Sequence, residues 1–301
     1  MWKVVQSRPF QRLRRVKQLG FSELVYPGAT HTRFSHSLGV FHVARALMRN
    51  LEKQLRREDR YDEGRAKVAL AAALVHDVGH RPFSHSFETV GKRVKLSNLN
   101  HETISAKLIR ESEINECLSA IGGGFSNDAA NLIAAESPTD IYSSVVSSQF
   151  DADRLDYMRR DRLMTGTQHS EIDFTWLMAN LKIGKVSTGV DDVVVGEIET
   201  LVLGSKARFA AETYVLGLFQ LYPTVYFHKA TRSAEKIFTE LFLRVISLIR
   251  ESSIGATGLP QDHPIAKFAR DPEAIENFLN LGDATVWGAL LGFKFQVQRL
   301  V

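Results

Sequence analysis

Histidine is concentrated in one stretch of this chain: seven of its ten histidines, His31, His36, His42, His76, His80, His85 and His101, fall between positions 31 and 101. A lone histidine is usually an ordinary hydrogen-bonded residue. A cluster beside an adjacent His-Asp pair is different, because imidazole and carboxylate are the ligands of Zn, Fe, Mn and related ions. The pair is His76-Asp77, within His76-Asp77-Val78-Gly79-His80, and Arg81-Pro82-Phe83-Ser84-His85 follows it. It closes a run from Val68 to Val75 that is apolar on every side, the pattern of a buried helix. An uncompensated Asp77 at that place would be costly, so a cationic partner is expected, and a metal ion is the simplest one. Neighbouring helical residues point about 100° apart, so both can face one ion only where the helix ends. Gly79 supplies that ending.

The elements that must carry these groups read as helices, since apolar residues recur mostly at three and four spacing and no repeat is visible. A first helix is predicted over Pro9 to Leu19, with proline in its tolerated first turn and Gly20 as its stop. A long helix opens at Ser35 or Ser37, with His36 at its mouth, and runs to the charged stretch near Arg60. Glu63 to Val78, His101 to Ser112, Ser126 to Ala135 and Asp151 to Met164 are further predicted helices. Ile183 to Leu203 reads as a small β-hairpin, and Lys206 to Ile254 as helix broken near Pro223. The fold class is therefore mainly α, and two parts are expected, 1–171 as the metal-binding core and 172–301 as a helical extension with the hairpin, packed as one compact unit. Asp153, Tyr157 and Asp161 stand at i, i+4 and i+8, one face of one helix, and Arg33 lies one turn before His36.

Several blocks occur in a fixed order: Phe10-Gln11-Arg12-Leu13-Arg14, Gln18-Leu19-Gly20, Tyr26 to Val40 including His36, His76-Asp77-Val78-Gly79-His80, Phe83-Ser84-His85, His101-Glu102, Asp151 to Tyr157 and Tyr226-Phe227-His228-Lys229. Together they resemble the HD superfamily of metal-dependent phosphohydrolases, and more closely its deoxynucleoside triphosphate triphosphohydrolase branch, over about Phe10 to Arg250. The resemblance implies an HD-domain helical bundle with His36, His76, Asp77 and Asp153 as ligands of one divalent metal ion, of Mn, Mg, Fe, Co, Ni or Zn. It implies further that Tyr157 packs against the sugar, that Asp161 and Gln18 hold its 3′-hydroxyl, and that Tyr226 also lines the substrate site. Arg33, His80, His85 and Arg154 look like the phosphate-handling group. His101 resembles the family's catalytic histidine, oriented by Glu88, with His85 the next candidate for the proton.

The implied reaction is attack of an activated water on the α-phosphorus, with His101 protonating the departing 5′-oxygen. Deoxynucleoside and inorganic triphosphate would result. The alternative within the superfamily is a phosphohydrolase or phosphodiesterase acting on nucleoside monophosphates, cyclic dinucleotides or nucleic acid ends. A non-catalytic protein with a structural metal is a third reading, disfavoured by His101, an extra acid that a structural site does not need. Relatives usually assemble, so a homo-oligomer is expected.

Composition bounds these readings. The chain has 301 residues, 44% of them hydrophobic, enough to bury a full core. One cysteine, Cys117, cannot form an internal disulfide, and no leader pattern follows Met1, so a cytoplasmic setting is expected. No apolar run approaches the roughly 20 residues of a membrane span. A net charge of +4 suits a protein that draws in a small polyanion, and gripping of nucleic acid is not indicated. Arg8, Arg12, Arg14, Arg15 and Lys17 crowd the first helix, a pattern that commonly forms a solvated face.

Overall fold

The computed structural model describes residues 1–83, 85–95, 100–135, 137–168, 171–190 and 193–292, without the side chains of His85, 188–190 and 193–195. Two short helices, Trp2–Gln6 and Arg8–Arg12, precede the longer elements. The latter are α1 (Arg33–Leu55), α2 (Glu63–Val75), α3 (His85–Arg93), α4 (His101–Glu111), α5 (Phe125–Ala134) and α6 (Ala152–Thr165). An antiparallel hairpin follows, β1 (Leu181–Val190) with β2 (Val193–Leu203), and then α7 (Arg208–Leu221), α8 (Lys229–Arg250) and α9 (Asp283–Gly292) among shorter helices. The fold is the mainly α one that the apolar spacing implies. Among the described residues no helix is long and apolar enough to cross a membrane.

The centre is α2. Ala66, Ala69, Ala71, Ala72 and Ala73 are all buried in it. Alanine is the best helix former and the smallest side chain that keeps a helix intact, so α1 and α5 can both pack closely against α2. Asp62 caps its start by accepting from the Arg65 amide at 3.0 Å. One core cluster joins Leu47, Leu51 and Leu155 to Leu177, Leu201, Leu221 and Val225, on either side of position 171. Another cluster, rich in aromatic rings, packs Phe21, Phe83 and Phe87 onto Phe238, Phe242 and Phe268. It fixes the segment that follows His80.

Three boundaries differ from the sequence expectation, and each difference serves the cavity. The first helix stops at Arg12, a tight 3-10 turn covers Leu13–Arg15, and the chain then runs extended. The backbone there is claimed by the segment before α1: Gln18 N donates to His31 O at 3.0 Å and Arg33 N to Val16 O at 2.9 Å. That bridge turns Gln18 inward. Secondly, α2 ends at Val75 rather than Val78, with turns at Val78 N to Val75 O (3.2 Å) and His80 N to Asp77 O (3.1 Å). Thirdly, α1 begins at Arg33, two residues before Ser35, after Thr32 in extended conformation.

The basic N-terminal run is not wholly a solvated face. Arg12 is 1% exposed, donating from Nε to Leu281 O at 2.7 Å and from Nη1 to His80 O at 2.8 Å. Its guanidinium also lies 4.2 Å from the Phe278 ring.

Candidate active site

The end of α2, the start of α1 and the first turn of α6 meet at one point. His36 Nε2 lies 2.9 Å from Asp153 Oδ1 and 3.8 Å from Asp77 Oδ2. His76 Nε2 lies 3.3 Å from Asp77 Oδ1 and 3.8 Å from Asp153 Oδ1. The early end of α2 makes this convergence feasible, since His76 and Asp77 would diverge on a continuing helix. Ser105 of α4 holds the turn: Gly79 N donates to Ser105 Oγ at 2.9 Å and Ser105 Oγ to His76 O at 2.6 Å. A Cβ on Gly79 would stand 2.3 Å from His101 O, so only glycine permits this approach.

The donor set suits a divalent cation. His36, His76 and Asp153 each bring a ligand atom within 4.8 Å of the others, as do Asp77, His80 and His101. His76 Nε2 is buried and has no hydrogen-bond partner among the described residues, a cost that a metal bond would remove. Burial opposes charge on His36, yet its hydrogen bonds to Asp153 and Asp156 outweigh this and push it up to about 10. Surroundings that stabilise a proton so strongly are surroundings that stabilise a cation. Mixed imidazole and carboxylate donors fit the ions expected above.

Eight of the other expected residues, Gln18, Arg33, His80, His101, Arg154, Tyr157, Asp161 and Tyr226, line one cavity of about 510 Å³ together with His76, Asp77 and Asp153. Arg33 Nη1 donates to Asp77 Oδ2 at 2.5 Å. Burial would raise Asp77, but Arg33 and the flanking histidines hold it well below the carboxylate range. Hence Arg33 is already the cationic partner that a buried Asp77 needs. His80 Nε2 sits 3.1 Å from Asp77 Oδ1, and its ring stacks on His101 at 4.0 Å. Burial and the neighbouring Arg33 push His80 well down, so it is neutral at ordinary pH.

His101 Nδ1 lies 3.4 Å from Glu88 Oε1. Burial works against its charged form, but Glu88 and Asp77 raise His101 above its ordinary value. Arg154 donates from Nη1 to Ser148 O at 2.8 Å while still lining the cavity. Asp161 is gripped on both oxygens, by His31 Nε2 at 2.8 Å and by the Tyr226 hydroxyl at 2.9 Å. Gln18, on the same cavity wall, has its Oε1 buried with no donor among the described residues, so its side-chain amide has polar capacity left for a ligand. The His85 side chain lies outside the described residues.

Several supporting groups escape a reading of the sequence. Asp156 Oδ2 lies 2.8 Å from His36 Nδ1, and Arg160 clamps Asp156 with two bonds of 2.8 Å. Gly39 leaves room for that clamp, for a Cβ there would lie 2.0 Å from Asp156 Oδ1. Asp283 accepts from Lys17 N at 2.9 Å and Phe83 N at 3.1 Å, steadying both walls next to the cavity. Only Asp156 had a signal, one helical turn after Asp153.

The class of protein follows from this fold and from comparison with known proteins. The HD domain family model matches residues 33–158. A crystal structure of a phosphohydrolase from Bacteroides thetaiotaomicron superposes with a TM-score of 0.76 at 31% identity, covering 99% of this chain and 69% of that one. This chain belongs to the HD-domain family, whose members bind divalent metals. Uncharacterized protein YwfO of Bacillus subtilis is 36% identical over 84% of this chain and 54% of its own length. A Dictyostelium discoideum protein, named a homolog of the deoxynucleoside triphosphate triphosphohydrolase SAMHD1, is 29% identical over 82% of this chain and 47% of its own. The chain thus spans about half the length of the curated relatives it matches.

Proposed function

We propose that this chain hydrolyses deoxynucleoside triphosphates to deoxynucleoside and inorganic triphosphate. The observation that carries the reading is a single cavity lined by His76, Asp77 and Asp153, with His36 against Asp153 behind them, and by Gln18, Tyr157, Asp161 and Tyr226, groups suited to a sugar. Similarity to a protein named for that activity supports it.

In this reading His36, His76, Asp77 and Asp153 hold one divalent ion, which supplies Lewis acidity and an activated water. The 3′-hydroxyl donates its one proton to Asp161, fixed by His31 and Tyr226, and its oxygen accepts from the Gln18 side-chain amide. Tyr157 closes the space beside the 2′-carbon. Arg154 and His80 face the phosphates, His80 as a neutral donor, while Arg33 balances Asp77. His101, kept basic by Glu88, protonates the departing 5′-oxygen. His85 stands as the second candidate for that proton.

The test is incubation with each dNTP and rNTP and Mn, Mg, Fe or Co, followed by chromatography of the products. Deoxynucleoside and inorganic triphosphate are expected. Orthophosphate or nucleoside monophosphate as the first product would overturn the reading in favour of the phosphatase or phosphodiesterase alternative.

A further inference from the structure

Beyond Tyr226 the cavity wall continues through side chains that none of these roles uses. Rings run in contact from Tyr157 to Tyr226 (6.2 Å), Tyr226 to Tyr222 (5.4 Å) and Tyr222 to Phe227 (5.5 Å). Arg232 ends the run, its guanidinium 5.6 Å from the Phe227 ring and its Nη1 donating to Glu235 Oε2 at 2.7 Å. All six side chains line the same cavity. Tyr222–Tyr226 is a π-helical turn between α7 and α8, a wider turn that recurs at functional sites.

Two features of this end call for a ligand. Tyr222 and Phe227 are 42% and 57% exposed although both are large aromatics, and a flat ring laid against them would bury that surface. Every base has a π-face that can stack on aromatic side chains, so the stack selects a nucleobase with little preference among bases. Selection falls to Arg232. Glu235 holds the planar guanidinium by one contact, and the group carries five N–H donors in a fixed fork. That fork matches two acceptors side by side, the O6/N7 edge of guanine. Adenine sets a donor at N6 against it, and pyrimidines have no N7.

We infer that this end of the cavity is a nucleobase subsite in which Arg232 selects a 6-oxopurine, guanine among the common bases. The inference rests on the reading of the site as a deoxynucleotide hydrolase, with the sugar at Tyr157 and the base one ring further from the metal cluster. Arg232 and Glu235 are also an i, i+3 pair on α8, and pairs of that kind on open surfaces are worth little. Their place on the cavity wall against Phe227 separates this pair from a surface ornament.

The experiment compares kcat/KM for dGTP, dITP, dATP and 7-deaza-dGTP in the wild type, Arg232→Ala and Arg232→Lys. Equilibrium dialysis of deoxyguanosine, deoxyinosine and deoxyadenosine runs beside it. dGTP and dITP, which share O6 and N7, should exceed dATP and 7-deaza-dGTP by roughly tenfold. Both variants should lose that ratio, because lysine keeps the charge without the fork. A wild type blind to the difference between dGTP and dATP, or an unchanged ratio in Arg232→Ala, overturns the inference and leaves an ordinary ion pair. If no dNTP is turned over, yet deoxyguanosine and deoxyinosine bind better than deoxyadenosine through Arg232, the hydrolase reading falls and the base subsite stands. Absence of both turnover and selective binding overturns both.

Discussion

Asp156 takes one end of the His36 ring at 2.8 Å while Asp153 faces the other end at 2.9 Å. With a metal bound, a proton kept on Nδ1 by Asp156 would leave the Nε2 lone pair directed at the cluster, the arrangement of a metal-binding imidazole supported from behind. Arg160 in turn keeps Asp156 ionised: burial would raise it, but His36 and Arg160 hold it below the carboxylate range. Asp156→Ala should therefore weaken metal binding by roughly 10- to 100-fold with the helices intact. Metal content after dialysis against graded chelator, read beside circular dichroism, checks this. Wild-type metal retention would show that Asp156 acts on nothing but α6.

His101 offers a separation of binding from chemistry. His101→Ala should keep metal and nucleotide but lose on the order of 10² to 10⁴ in turnover, the range for a positioned proton donor. An activated aryl phosphate ester, whose leaving group needs little protonation, should recover much of the loss. Asp77→Ala should lose the metal and gain nothing from the activated ester. Near-normal dNTP turnover by His101→Ala would move the role to His85.

Sugar choice is tied to Tyr157, whose ring stands 6.2 Å from that of Tyr226 on the cavity wall. An added 2′-hydroxyl there meets an aromatic ring or remains poorly paired. The wild type should prefer dATP to ATP, and Tyr157→Ala should narrow the preference. Equal rates for the two substrates in the wild type would remove Tyr157 from the argument.

Asp283 predicts a stability profile with pH. Burial drives its carboxyl up to about 6 against the two amides that it accepts, from an ordinary value of 3.8. The folded state thus binds this proton more tightly than the unfolded chain. The contribution is complete below about pH 4 and is lost as pH rises through about 6, some 3 kcal/mol for a shift of about two units. Asp283→Asn removes the titration, so the wild-type stability relative to the variant should fall from pH 4 to pH 7 in denaturant melts. A constant difference across that range would refute the buried charge.

How much of this is legible in the sequence depends on the range of the interaction involved. The helices are legible because their apolar spacing is local, and the alanine run of α2 announces its central position. His36, His76, Asp77 and Asp153 can be named from ordered motif blocks, and their side chains do meet. The end of α2 is less legible, because Ser105, about thirty positions on, ties down the turn at Gly79. Arg12 reads as one more surface cation until Leu281 and His80 supply its acceptors. Arg33 looks like a phosphate ligand by resemblance, and its contact to Asp77 depends on how α1 packs on α2. Arg232 carries no motif, and only the fold brings it to the cavity.

The two carbonyls that Arg12 holds also bear on the order in which the protein can be finished. His80 O lies 68 positions along the chain from Arg12, and Leu281 O lies 269 positions along. Synthesis at roughly 5 to 20 residues per second leaves Arg12 waiting on the order of tens of seconds for its second acceptor. Until then a guanidinium destined for a dry interior lacks half its hydrogen bonds, and it favours water over burial. The segment carrying His80 can collapse early against α4, but its final setting is delayed until Leu281 has been made.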